Sequence, residues 1–185
     1  MAARKESYSQ KKDRSSRGEG IITLPVEQLT EERFSRIGDC VIQLPITQNE
    51  FFEEMIAGSV ATIRFTTVKD QTGRIDVRAA YLRLGRSNTE WVQSDNSIRV
   101  AITNRAGQLD NFCYTGDWRR WEYHPDTGYS FKNARIPKFK EAIDFCVALH
   151  SKVPHFTIIG WDVTIDNTDQ IKIMEWNSTH PDIKF

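Results

Sequence analysis

The stretch GWDVTIDNTDQIKIMEWN, residues 160–177, decides the fold. It reads as two strand patterns about a polar turn at Asn167, Thr168 and Asp169. Alternation puts Ile159, Trp161, Val163 and Ile165 on one face, so Asp162 projects from the other with Thr164. Glu175 and Asn177, two apart, share a face. A four-residue loop at 167–170 sets Asp162 directly across from Glu175. Opposed carboxylates repel, and burial raises the cost. A divalent cation between them removes the conflict, and two carboxylates with an amide carbonyl suit a hard ion such as Mg2+. A surface hairpin with a wet polar face fits the same periodicity, so the residues alone leave both readings open.

Upstream, Pro137 is placed to open a helix, followed at helical spacing by Phe139, Ala142, Ile143, Cys146 and Val147 and stopped by Pro154. Residues 60–84 read as a hairpin turning at Asp70 and Gly73. In it Ile63, Phe65 and Thr67 share one face, while Arg64 points the other way beside Thr62 and Thr66, as a functional or solvated cleft requires. Strands are also expected at 97–103 and Leu109–Tyr114, at 21–24 and at Cys40–Gln43, with a Thr30-capped helix through Phe34 and Ile37 between the last two. Residues 1–20 are polar and nearly free of large aliphatics, which reads as a tail or a mobile loop.

The chain's 185 residues suit one domain, and 39% hydrophobic against 27% charged residues is a soluble balance. Twenty-five basic residues against twenty-five acidic leave no net field to attract nucleic acid or an anionic membrane. No apolar run reaches membrane-spanning length and no signal sequence is evident, so a cytoplasmic protein without membrane insertion is expected. Cys40, Cys113 and Cys146 lack the spacing of a zinc site and read as core or surface thiols. Trp91, Trp118, Trp121, Trp161 and Trp176 read first as core, although Trp118 and Trp121, beside Arg119 and Arg120, also suit the flank of a substrate cleft. His150 and His180 read as a helix-end and a loop residue, and His124 sits in a turn shaped by Asp126 and Gly128.

The 160–177 stretch resembles the terminal hairpin of ATP-grasp ligases, in which an acid on one strand and E-x-N on the next hold magnesium. Together with SVATIRFTTV, AYLRLGR, HPDTG and ARIP, in that order, it resembles the sugar-transfer-associated ATP-grasp group over about residues 38–185. The resemblance implies an α+β fold, the C-terminal ATP-grasp subdomain: a mainly antiparallel β-sheet with flanking helices, here a partial catalytic domain over 21–185. It makes Asp162, Glu175 and Asn177 the metal ligands and Arg64 and Arg83 catalytic residues facing phosphate. Asn96 and Gln43 become cofactor-binding candidates, the latter in the adenine-linker segment, where Leu44 stands in place of the usual glutamate. Ser16, Arg17, Gly18 and Gly20, in a segment otherwise readable as a plain tail, resemble the glycine loop that closes over phosphates. Ala61 stands where asparagine is frequent.

The function so implied is an ATP- and Mg2+-dependent ligase joining a small-molecule carboxylate to an amine through an acyl-phosphate, in cell-surface polysaccharide assembly. An N-terminal region or another chain would complete the nucleotide site. The rival reading is a catalytically inactive β-rich module binding a glycan or a protein partner.

Overall fold

The computed structural model describes residues 7–12, 21–37, 39–87, 89, 92, 96–179, 181 and 183–185. They fall into two compact units, Met1–Ile46 and Thr47–Phe185.

The first unit holds a three-stranded antiparallel sheet with β1 (Ser7–Lys12) in the centre, between β2 (Ile21–Pro25) and β3 (Cys40–Gln43). Strand β1 lies within the polar segment read as a tail. Pairing on both sides satisfies its backbone groups, a gain that does not depend on apolar side chains. Helix α1 (Glu31–Ile37) is capped by Thr30, whose hydroxyl accepts from the Arg33 amide at 3.3 Å.

The second unit is built on seven antiparallel strands: β4 (Thr62–Lys69), β5 (Ile75–Leu84), β6 (Ile98–Ile102), β7 (Leu109–Tyr114), β8 (Arg120–Trp121), β9 (Ile158–Ile165) and β10 (Ile171–Asn177). Their spatial order is β10-β9-β4-β5-β6-β7-β8, so the last hairpin returns to pair with the first strand of the unit. Short helix α2 (Glu50–Glu53) precedes β4, with Asn49 accepting from the Phe51 amide as its cap. Helix α3 (Phe139–Ser151) packs on β4, β5 and β9.

Alternation gives this sheet an apolar and a polar face. Ile63, Phe65, Leu82, Leu84, Val100, Trp161, Val163 and Ile165 make the apolar one, and α3 seals it with Phe139, Ala142, Ile143 and Cys146. The rings of Phe65 and Phe139 lie 5.1 Å apart. A buried relay crosses this layer: Trp161 Nε1 donates to Thr67 Oγ1 at 2.8 Å, Thr67 to His150 Nδ1 at 2.7 Å, and His150 Nε2 to the Phe156 carbonyl at 3.0 Å. His150 thus ends the helix as expected, but from inside the core. Cys113 and Cys146 are also buried, and burial pushes their thiols up to about 11 and about 12, leaving them inert.

Two expectations need correction. Pro137 does not open α3, because Lys138 takes a left-handed conformation (φ 52°) and the helix begins at Phe139. Of the tryptophans expected in the core only Trp161 is buried among those described. Trp118, Trp121 and Trp176 sit on strand edges and turns and are 50%, 46% and 44% exposed.

His124 ties the turn after β8 to the end of β5. Its Nδ1 accepts the Asp126 and Thr127 amides at 3.2 and 3.4 Å, and its Nε2 donates to the Gly85 carbonyl at 3.2 Å, a pattern that only the neutral imidazole satisfies. Arg86 grips Asp126 in a two-point ion pair at 2.7 and 2.6 Å, which holds that carboxyl well below its ordinary range. Burial, foremost, holds the His124 pKa below its ordinary value, against the opposing pull of the Gly85 carbonyl and Asp126. A depressed histidine contributes stability that is full above the unfolded value of about 6.5 and is lost as pH falls below it. Urea midpoints measured from pH 7.5 to 5 should therefore decline on the acid side. The decline should be shallower in His124→Gln, and identical slopes in the two proteins would contradict this role.

Candidate functional site

The polar face of the seven-stranded sheet is almost as dry as the apolar one. Thr62, Arg64, Thr66, Arg83, Arg99, Asp162 and Thr164 are each 8% exposed or less. Buried charge must be paired, and the pairing is specific. Arg64 on β4 stands opposite Asp162 on β9 and binds it with both arms of its guanidinium, Nε to Oδ1 at 2.6 Å and Nη2 to Oδ2 at 2.9 Å. Arg83 on β5 brings Nη1 to 3.8 Å from the same Oδ2.

Glu175 does face Asp162 across the β9–β10 pair, though by a different route from the one the sequence suggests. Ile165 pairs with Ile171, so the turn spans 166–170, one residue longer than expected. A bulge then inserts Met174 between the pairs Ile173–Val163 and Glu175–Asp162, restoring the register. The same step brings Trp176 against Trp161, their rings 6.0 Å apart and 21° from parallel, and Asn177 across from Gly160. Glu175 is exposed while Asp162 is buried. Asp162 is neutralised by arginine, so the opposed carboxylates do not by themselves demand a cation. Among the described residues no three His, Cys, Asp or Glu side chains converge as a cage.

Arg99, which carried no role in the sequence reading, belongs to this face. It pairs directly with Arg83 across β5 and β6, two like charges side by side at 8% exposure, and its Nη1 donates to the Thr115 carbonyl at 3.4 Å. Its signal in the sequence is the alternation of Ser97, Arg99 and Ala101 with apolar Ile98, Val100 and Ile102. Pro181 lies over the face: its carbonyl accepts from Arg64 Nη1 at 3.2 Å and Thr66 Oγ1 at 3.3 Å. Gly160 permits the approach, since a Cβ there would meet the Pro181 oxygen at 2.5 Å. Phe185 is flanked by Tyr81, Tyr114 and Trp118, with ring centres 5.6 to 5.8 Å away.

The structure thus joins Arg64, Arg83 and Asp162 and sets Glu175 and Asn177 on the neighbouring strand. Asn96 lies elsewhere, in a hollow beyond β6. Gln43 ends β3 in the first unit. Ser16, Arg17, Gly18, Gly20 and His180, like Trp91, lie outside the described residues.

A seven-stranded antiparallel sheet with a helix packed against it is the fold of the C-terminal subdomain of an ATP-grasp protein. The chain matches the sugar-transfer associated ATP-grasp family over residues 27–185, and it belongs to that family. Solved structures with the same fold include N5-carboxyaminoimidazole synthetase from Staphylococcus aureus complexed with ADP, at 13% identity and a TM-score of 0.54, covering 94% of this chain and 34% of that one. The biotin carboxylase domain of Hydrogenobacter thermophilus 2-oxoglutarate carboxylase, in complex with MgADP, ADP and bicarbonate, is similar at 13% identity and a TM-score of 0.50, over 94% and 32%. The chain therefore spans about a third of the length of these structures, and at such identity the likeness is one of fold. No curated protein sequence matches it.

Removing one partner of a buried ion pair strands the other, at a cost of about 3 kcal/mol or more. Arg64→Met and Asp162→Leu should each lose that much in urea denaturation, and Arg64→Met/Asp162→Leu should lose clearly less than the sum. Strict additivity would show that the two side chains do not support each other.

Proposed function

We propose that this chain is the metal-binding half of an ATP- and Mg2+-dependent ligase, which activates a carboxylate as an acyl-phosphate for attack by an amine. The observation that carries the reading is the placement of Glu175 opposite Asp162 with Asn177 two residues on, beside a polar face that holds Arg64 and Arg83. Two carboxylates and an amide oxygen form a hard donor set that fits Mg2+. Asp162 has room for it: a carboxylate offers about four lone-pair sites, and Arg64 occupies one on each oxygen. The Thr164 hydroxyl, two residues along the same strand, is buried without a partner among the described residues, which suits a further polar guest.

When bound, Mg2+ neutralises phosphate charge and helps hold the transferred phosphoryl group in line. The chain's own contribution is positioning and electrostatics. Arg64 and Arg83, fixed on adjacent strands in a poorly hydrated setting, donate to oxygens that gain charge as the phosphoryl group moves to the carboxylate. The amine then attacks the acyl carbon and displaces inorganic phosphate, a step that needs no protein nucleophile. Residues Ser16, Arg17, Gly18 and Gly20 are proposed to close over the phosphates, with Gln43 as a further nucleotide contact and another region or chain completing the cleft. A cytoplasmic role in cell-surface polysaccharide assembly is the setting proposed, with the family's sugar-transfer association in its support. A silent binding module for a glycan or a protein partner is the second reading, favoured by the neutralisation of Asp162 by Arg64.

Calorimetric titration of Mg2+ with a non-hydrolysable ATP analogue tests the assignment. Wild type should bind in a metal-dependent manner, and Asp162→Ala/Glu175→Ala should bind at least about tenfold more weakly, the loss of roughly 1.4 kcal/mol expected for charged contacts. Equal binding by both proteins, or binding indifferent to chelator, would remove these residues from the metal site.

A further inference from the structure

Where β6 and β7 run into their loops, Arg86, Asn96, Ser97, Asp117, Arg119 and Trp121 line a hollow of about 330 Å³. Its size is at the lower end for small-molecule sites, enough for one ring but not a chain of them. It adjoins the site already described, because the Thr115 carbonyl that receives Arg99 belongs to its wall.

Three features mark it as built for a ligand. Ser97 is 2% exposed, and its hydroxyl has no hydrogen-bond partner among the described residues, which is costly and rare unless something else fills the role. Each guanidinium on its wall has an acid beside it, Arg86 held by Asp126 at 2.6 Å and the more exposed Arg119 facing Asp117 at 2.9 Å, so the wall offers balanced charge in place of a cluster of cations. Guanidinium groups so placed keep spare N–H donors, and the carboxylates keep spare lone pairs. Trp121 is 46% exposed and offers an apolar ring beside these planar polar groups. Paired donors and acceptors around an indole match the alternating hydroxyl and C–H surfaces of a sugar ring, and match neither a phosphate nor a simple carboxylate.

We propose that this hollow binds a neutral, hydroxyl-rich ligand of one sugar ring, with Ser97, Asn96 and Asp117 reading its hydroxyls and Trp121 covering its C–H face. That the ligand is the substrate, or the sugar part of it, rests on the ligase reading, whereas its binding in the hollow does not.

The test is 19F NMR of the full chain labelled with 5-fluorotryptophan, the Trp121 signal assigned through Trp121→Phe. Methyl glucoside, methyl galactoside and methyl N-acetylglucosaminide are titrated, with inorganic phosphate and acetate as the anionic comparison. At least one glycoside should shift the Trp121 signal saturably, and Ser97→Ala and Asn96→Ala should weaken it about tenfold, the loss expected for one good hydrogen bond. Removing an orphan hydroxyl should leave the thermal midpoint of Ser97→Ala unchanged or raised. Saturation by phosphate or acetate in place of the glycosides, no saturable shift with any glycoside, or a marked drop in the Ser97→Ala midpoint would each overturn the proposal. Because these readings need no nucleotide, loss of ATP-analogue binding alone would count against the ligase assignment and leave the hollow standing.

Discussion

The buried ion pair between Arg64 and Asp162 is the constraint on which the polar half of the second unit depends. It joins β4 to β9, strands remote in sequence that lie side by side in the sheet, through two hydrogen bonds of 2.6 and 2.9 Å in a setting nearly closed to water. Two such groups are costly to bury singly and tolerable only together, so the pair fixes which residues of the two strands face each other. The Arg64 guanidinium also reaches the Pro181 carbonyl, so the same residue anchors the segment that lies over the face. Gly160 makes that approach possible by having no side chain to obstruct it.

The two faces of the sheet are built differently. Its apolar face is closed by α3 and a conventional core, while its polar face concentrates three arginines where hydrophobic residues would have been cheaper. Arg83 and Arg99 stand opposite each other across β5 and β6 in spite of their like charge.

Much of this was legible in the sequence because strand alternation is a local rule. It separates Asp162 from Trp161 and Arg64 from Phe65 with no knowledge of the partners, and all four lie on the faces so assigned. What was not legible is non-local. The counter-charge of Asp162 comes from 98 residues away, so the sequence suggested a cation where the fold supplies a guanidinium. Glu175 reached its expected partner only because a longer turn and the Met174 bulge offset one another. The start of α3 was misplaced because the left-handed backbone of Lys138 is a tertiary compromise that residue type does not announce. Arg99 went unnoticed because an arginine between aliphatics resembles an ordinary solvent-facing strand residue until the strands on either side are known.

The most direct measurement of the central claim is paramagnetic broadening of backbone amide NMR signals by Mn2+ added with ADP. If the polar face is the metal and phosphate site, the amides of Asp162, Val163, Glu175, Trp176 and Asn177 should broaden first, and only weakly when ADP is omitted. Broadening that begins elsewhere on the chain, with those five signals intact, would contradict it.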